Sequence, residues 1–102
     1  MNFVAHFFAG AFLCNCVPHL VSGLQGSSFP TPFAKPSGVG LSSPLLNFVW
    51  GMFNLIVGAL LLSRWPVQAG LNGSFLVFLL GAAALGAPLS VRFGKVRRGG
   101  PN

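Results

Sequence analysis

The side chains best suited to chemistry stand close together near the start of the chain. They are two histidines, two cysteines and one amide: His6, Cys14, Asn15, Cys16 and His19. Thiolate and imidazole together are ligands for Cu(I) or Zn²⁺. In a straight helix Cys14 and Cys16 point about 160° apart and cannot share an ion. Cys16 and His19 share a face, so a metal site at Cys16 and His19 stays as an alternative.

The two histidines raise the separate question of haem ligation. His6 and His19 would lie about 20 Å apart along one helix. They would also point to faces about 140° apart, although stacked haems between the same helices need one face. We therefore predict no cofactor. Buried thiols usually pack, and Asn15, Cys16 and His19 are interpreted as a polar cluster, with His19 against the second helix.

The absence of acidic residues excludes several classes of activity. The chain has no Asp or Glu, six Lys and Arg, and a formal charge of +6. Paired-acid hydrolysis, oxygen-ligand Ca²⁺ or Mg²⁺ cages and proton coupling through carboxylates all need residues that are missing. Cys16 with His19 is the one conceivable nucleophile and base, and a thiolate is disfavoured in hydrocarbon. We predict that the protein is not an enzyme.

Three apolar segments must position these side chains. The composition is 53% hydrophobic and 6% charged, whereas soluble domains carry about 25% charged residues. Residues 3–24, 45–62 and 74–91 are uncharged, and a membrane span needs roughly 20 apolar residues. The sequence therefore predicts an all-α integral membrane protein, a single domain over residues 1–102 that forms a bundle of three transmembrane helices.

The segments between and after the spans differ in composition from the spans. Residues 25–44 are rich in Pro, Gly and Ser, which predicts an extended loop. Ser43 and Pro44 together predict the start of the second helix. Residues 92–102 form a basic tail whose cations can contact anionic lipid headgroups. These cations are Arg92, Lys95, Arg97 and Arg98.

The distribution of cations predicts the orientation. Lys35 and the basic tail would share one side of the membrane, and Arg64 would lie on the other. Positive residues stay in the cytoplasm, so we predict the N-terminus outside and the C-terminus inside, in a bacterial inner membrane. Four cations beside a membrane without a folded reader domain are a poor nucleic-acid site, so we expect no nucleic-acid partner.

Small and amide side chains recur along two of the spans. In the second span they are Asn47, Gly51, Asn54 and Gly58, which fall within about 60° of one face. Such faces let helices approach closely and let amides bond across the contact. Gly81 and Ala84 indicate a similar face in the third span. We interpret both faces as helix-packing surfaces, against the other helices or against a second copy.

The predicted function is a small non-enzymatic multi-pass membrane protein. It would be an accessory or structural subunit of a membrane complex, or a self-associating helix bundle, with the bilayer and another membrane protein or further copies as partners. The alternative is a small homo-oligomeric transporter or channel, with Asn47, Asn54, His6 and His19 lining the path. A pore face should be polar along its depth, whereas a packed face should be small and dry.

Overall fold

Three helices make up most of the chain. The computed structural model describes residues 2–98, so Met1 and residues 99–102 of the predicted basic tail lie outside the described part. Each helix is long and apolar enough to cross a membrane, which confirms the all-helical prediction with three such helices. The elements are α1 (Phe3–Leu24), β1 (Phe29–Pro30), β2 (Leu41–Ser42), α2 (Pro44–Arg64) and α3 (Gly73–Arg97).

Each helix begins at a capping side chain. Asn2, Ser43 and Asn72 accept hydrogen bonds from the backbone N–H groups at the starts of α1, α2 and α3, which satisfies donors that have no partner within the helix. The helix α3 extends to Arg97, beyond the predicted end at residue 91. Cations are favourable near a helix C-terminus, so the end of the apolar segment does not end the helix.

The helix α1 lies between the other two and makes the main contacts with both. Gly58 of α2 lies against Leu13 and Gly51 lies against Leu20, so α2 runs antiparallel to α1. Gly10 of α1 lies against the backbone of α3 at Phe78 and Ala82, and Cys14 lies against Gly86, so α3 runs parallel to α1. The three helices form a flat layer, with principal extents of 42 × 27 × 19 Å.

Glycine permits the close crossing of α1 and α3. A Cβ atom at Gly10 would overlap the carbonyl oxygen of Phe78, and a Cβ atom at Gly81 would overlap the carbonyl oxygen of Phe7. The two glycines therefore bring backbone against backbone, the arrangement that small residues allow between membrane helices. Both glycines are buried.

The loop between α1 and α2 folds over one end of the layer. Its two short strands pair antiparallel, with Phe29 opposite Ser42 and Pro30 opposite Leu41. The buried hydroxyls of Thr31 and Ser42 lie 2.6 Å apart and share a hydrogen bond. We call this end, which holds the loop and the C-termini of α1 and α3, the basic end; the opposite end holds Arg64.

One part of the sequence interpretation differs from the structure. Gly81 faces α1 and is buried, whereas Ala84 and Pro88 are exposed. The contact of α3 with α1 continues from Gly81 to Gly86, and Leu85 and Leu89 on this side are half-buried. Ala84 lies three residues after Gly81 and therefore turns away from α1 by about 60°. Ala84 therefore lies on the outer surface of α3 and does not pack against α1, and its packing against another copy or a partner stays a prediction.

Candidate functional site

The side chain of Asn47, in α2, joins α1 and the loop at the basic end. It is fully buried, with 0% of its surface exposed. Its Nδ2 donates to the carbonyl oxygens of Phe29, Ser42 and Ser43 at 2.9, 3.2 and 3.1 Å. Its Oδ1 lies 2.7 Å from Nδ1 of His19. One amide therefore holds β1, β2, the start of α2 and the C-terminal part of α1 together.

This arrangement determines the tautomer of His19. The amide nitrogen of Asn47 is committed to three carbonyl acceptors, so Oδ1 is the remaining acceptor and Nδ1 of His19 must carry the donated hydrogen. The Nε2 atom of a neutral His19 is then an acceptor. The ring is 98% buried, since only 2% of His19 is exposed, and it contacts Phe29 and Trp50 edge-on.

A second amide bridge lies deeper between α1 and α2. Nδ2 of Asn15 donates to Oδ1 of Asn54 at 3.0 Å, and Nδ2 of Asn54 donates to the carbonyl of Trp50 at 2.8 Å. Gly51 and Gly58 lie on the same side of α2 and are buried. The α2 face predicted from the sequence thus lies against α1, with its amides bonded to α1 or to local backbone.

The two thiols make different contacts. The thiol of Cys16 donates to the carbonyl of Leu13 at 3.0 Å, and Cys14 lies beside Gly86 of α3. The two cysteines are not joined by a disulfide. Within residues 2–98, no three side chains of the His, Cys, Asp and Glu types come together around a point. Cys16 and His19 are each engaged in a separate hydrogen bond.

His6 lies at the opposite end of the layer from His19. It is buried, and its Nδ1 atom has no hydrogen-bond partner among the described residues. It lines a cavity of about 550 Å³ together with Arg64, Gln68 and Asn72. The guanidinium of Arg64 lies 5.0 Å from the ring centre of Trp65, a cation–π distance. His6 and His19 therefore belong to two separate polar regions.

A groove opens along α1 where α2 and α3 diverge. The part farther from the basic end has a volume of about 310 Å³ and is lined mainly by apolar side chains, among them Phe8, Phe12 and Leu85. Asn15, Trp50 and Leu89 line both this part and a smaller cavity of about 120 Å³ nearer the basic end. We call the two parts the apolar groove and the polar chamber.

The polar chamber collects hydrogen-bonding groups from all three helices and the loop. Asn15 and His19 come from α1, Trp50 from α2, Arg92 from α3 and Thr31 from the loop. The indole Nε1 of Trp50 is buried and has no hydrogen-bond acceptor among the described residues. An indole N–H can only donate, and the Trp50 side chain that carries this donor lines the chamber.

The remaining cations of the predicted tail lie around the basic end. Arg92, Lys95 and Arg97 are on the last turns of α3, and Arg98 follows the helix. Arg92 and Lys95 line an outer groove with Val39, Pro88 and Val91. Gly38 sits beside the Arg92 guanidinium, with a φ of 69° that favours glycine.

Several residues of this region were not identified from the sequence. Thr31, Ser42 and Trp50 acquire their roles only when the loop folds onto the helices. Gly10 pairs with Gly81 across the α1–α3 contact; its place beside Ala9, another buried small residue of α1, is a signal that helix patterning could have used.

The geometry of the described residues supports hydrogen bonding and close packing between the helices and the loop. His19, Asn47 and Asn54 form hydrogen bonds between the helices, whereas His6 and Trp50 each keep one buried nitrogen without a partner among the described residues. No protein-family model, curated protein or solved structure matches this sequence.

Proposed function

We propose that this chain is a small, non-enzymatic multi-pass membrane protein that acts as an accessory or structural subunit. The observation that carries this proposal is the difference between its two outer surfaces. The outer surface of α2 is made mainly of large apolar side chains, among them Val49, Phe53 and Ile56. The outer surface of α3 includes a patch of small residues, Ala83, Ala84, Ala87 and Pro88, all exposed. We call this patch the small outer face.

The two surfaces suit different neighbours. Large aliphatic and aromatic side chains are well accommodated by lipid. Small residues let the backbone of another helix approach closely, and this approach drives association where lipid offers no hydrophobic gain. The small outer face therefore supports contact with a transmembrane helix of a partner protein or of a second copy.

The interior supports a structural role for the amides. Asn47 and Asn54 are 0% and 1% exposed and form hydrogen bonds within the chain. Gly51 and Gly58 close the same contact against Leu20 and Leu13. A transport path along this face would need water-accessible polar groups through its depth. The packed arrangement therefore favours the subunit over the homo-oligomeric transporter.

The proposed topology follows the cations. Lys35 and the cations of α3 lie at the basic end, and Arg64 lies at the other. Positive residues are retained in the cytoplasm, so the proposal puts the basic end in the cytoplasm and the N-terminus outside, in a bacterial inner membrane.

Site-specific photo-crosslinking in intact membranes tests the proposed contact. A photoreactive side chain at Ala87 should give a discrete protein adduct, because this position lies in the small outer face. The matched position is Ile56 on the outer surface of α2, 50% exposed, which should give lipid adducts. Protein adducts of equal yield from both positions, or from neither, would contradict the proposal.

A further inference from the structure

We propose that the groove along α1 holds one anionic phospholipid, with its phosphate at the polar chamber and one acyl chain in the apolar groove. This inference rests on the proposed membrane location. It assigns a ligand to the gap between α2 and α3, which the subunit function does not require.

The two parts of the groove have the polarity of a lipid molecule. The apolar groove is lined mainly by apolar side chains such as Phe8, Phe12 and Leu85. Asn15 and Asn54 also line it and bond to each other. The polar chamber begins where Asn15, Trp50 and Leu89 end the apolar groove. From Phe8 to His19 the groove follows about 16 Å of helix. Half of a hydrocarbon core of about 30 Å is a similar length, so an acyl chain of one leaflet fits along it.

The chamber favours an anionic head because it offers donors and a positive charge. Trp50 has a buried N–H without an acceptor among the described residues, and Arg92 contributes a guanidinium at the chamber. The sequence has no Asp or Glu, so no carboxylate of the chain competes for these donors. His19 also lies at the chamber wall, 2% exposed, but the Nε2 of its neutral ring is an acceptor, so the donors for a phosphate are those of Trp50 and Arg92. A phosphate oxygen accepts from Arg and indole N–H groups, and charge-assisted bonds of this kind are the stronger ones.

The outer groove on the other side of Arg92 favours a lipid with two chains. Arg92 lines both the chamber and this groove of about 450 Å³, which also has Pro88, Val91 and Lys95 in its wall. A phosphodiester at Arg92 can direct one chain along α1 and leave the second along Pro88 and Val91. A free fatty acid has a single chain and would occupy only the groove along α1.

Fluorescence quenching by brominated lipids tests the site. The Trp65→Phe background leaves Trp50 as the one indole, since the sequence has two Trp residues. The protein is reconstituted in phosphatidylcholine with a minor fraction of acyl-brominated phosphatidylglycerol. Quenching of Trp50 should exceed the value for the same fraction of brominated phosphatidylcholine. Equal quenching by the two lipids would overturn the proposal.

Two matched pairs of variants test whether lipid binding depends on the groove and chamber or only on the positive charge of the surface. Arg92→Gln should weaken phosphatidylglycerol binding about fivefold more than Arg98→Gln, which removes the same charge outside the chamber; this corresponds to about 1 kcal/mol. Ala11→Phe fills the apolar groove, whereas Ala59→Phe adds the same ring at an exposed position of α2 outside the groove. Only Ala11→Phe should abolish the preference for phosphatidylglycerol over phosphatidylcholine. Equal effects within either pair would contradict a defined site.

Native mass spectrometry from mild detergent identifies the occupant. The expected result is one retained phospholipid of anionic class on the wild-type chain and none on Ala11→Phe. Retention of a fatty acid, or of no lipid at all, would overturn the assignment. Failure of the protein to associate with vesicles of any composition would instead contradict the proposed membrane location, so the two failures are distinguishable.

Discussion

Nδ1 of His19 donates to Oδ1 of Asn47 across 2.7 Å, in a position where both side chains are almost fully buried. The bond joins α1 to α2, and the amide nitrogen of the same Asn47 holds three loop carbonyls. Hydrogen bonds of buried polar side chains are strong in a low dielectric, and an unpaired buried polar group is costly. His19 and Asn47 therefore connect the packing of two helices to the folding of the loop.

Replacement of Asn47 by Leu should release the loop. The change removes the acceptor of His19 and the donor to Phe29, Ser42 and Ser43, and each unsatisfied buried group costs about 1–3 kcal/mol. We expect the free energy of unfolding in mixed micelles to fall by about 2 kcal/mol or more. Hydrogen exchange should accelerate at Ala34 and Gly38, whose N–H groups bond Thr31.

Asn72→Leu is the matched control for this change. The Asn72 side chain bonds Phe75 and Gln68 at the start of α3, so its loss should cost about 1 kcal/mol as a lost cap and leave exchange at Gly38 unchanged. Equal acceleration of loop exchange in both variants would mean that Asn47 does not hold the loop.

The Asn15–Asn54 bridge should behave as a coupled pair. Asn54→Leu leaves the amide of Asn15 without its acceptor, and Asn15→Leu leaves Oδ1 of Asn54 without its donor. Replacing both partners by apolar side chains of the same shape removes the penalty of an unpaired group. A double-mutant cycle should give a coupling of about 0.6 kcal/mol or more, as for hydrogen bonds between membrane helices. Strictly additive losses of unfolding free energy would refute the bridge.

Two glycines of α3 should respond in opposite directions to alanine. At Gly81 a Cβ would overlap the carbonyl of Phe7, so Gly81→Ala must separate α1 from α3. We expect a loss of about 1–3 kcal/mol of unfolding free energy. At Gly94 the nearest atom belongs to the flexible Arg98 side chain, 3.6 Å away. Gly94→Ala should be neutral or stabilise by up to about 1 kcal/mol through helix propensity.

Thermal unfolding in detergent compares the two alanine variants directly. If Gly81→Ala melts at the same temperature as Gly94→Ala, the close crossing at Gly10 and Gly81 does not contribute to stability.

The helices themselves could be predicted from the sequence. The predicted bounds of α1, residues 3–24, are those of the structure, because the uncharged apolar run has these limits and Pro18 within it does not end the helix. The sequence predicts the end of α3 too early. The first cation, Arg92, ends the apolar segment, but the helical hydrogen bonds of the backbone continue to Arg97. Ala84 follows Gly81 by three residues and Leu85 follows it by four. This difference of one residue places Ala84 on the outer surface of α3.

The contacts of the site could not be predicted in the same way. The sequence groups Asn47 and Asn54 on one face, but their partners depend on the register between helices that are distant in the chain. Thr31 and Ser42 meet because the loop forms a short strand pair, whereas Pro-rich composition alone favours an extended loop. The groove arises because α2 and α3 diverge on either side of α1, a tertiary property that no single helix pattern contains.

The orientation can be tested with reporters fused to the C-terminus. Lys35 and the cations of α3 lie at the basic end, so positive-inside retention predicts a cytoplasmic C-terminus. A reporter that is active only in the cytoplasm should work there. Activity of a reporter that works only in the periplasm would reverse the topology.

The most direct test of the subunit function is the native mass of the protein purified in mild detergent, measured for the wild type and two variants. Ala87→Trp places a bulky ring in the small outer face, and Ile56→Trp places the same ring on the outer surface of α2. We predict an assembly of fixed composition, with a partner protein or further copies, that is lost in Ala87→Trp and retained in Ile56→Trp. A monomer for the wild type, or an assembly unaffected by Ala87→Trp, would contradict the account.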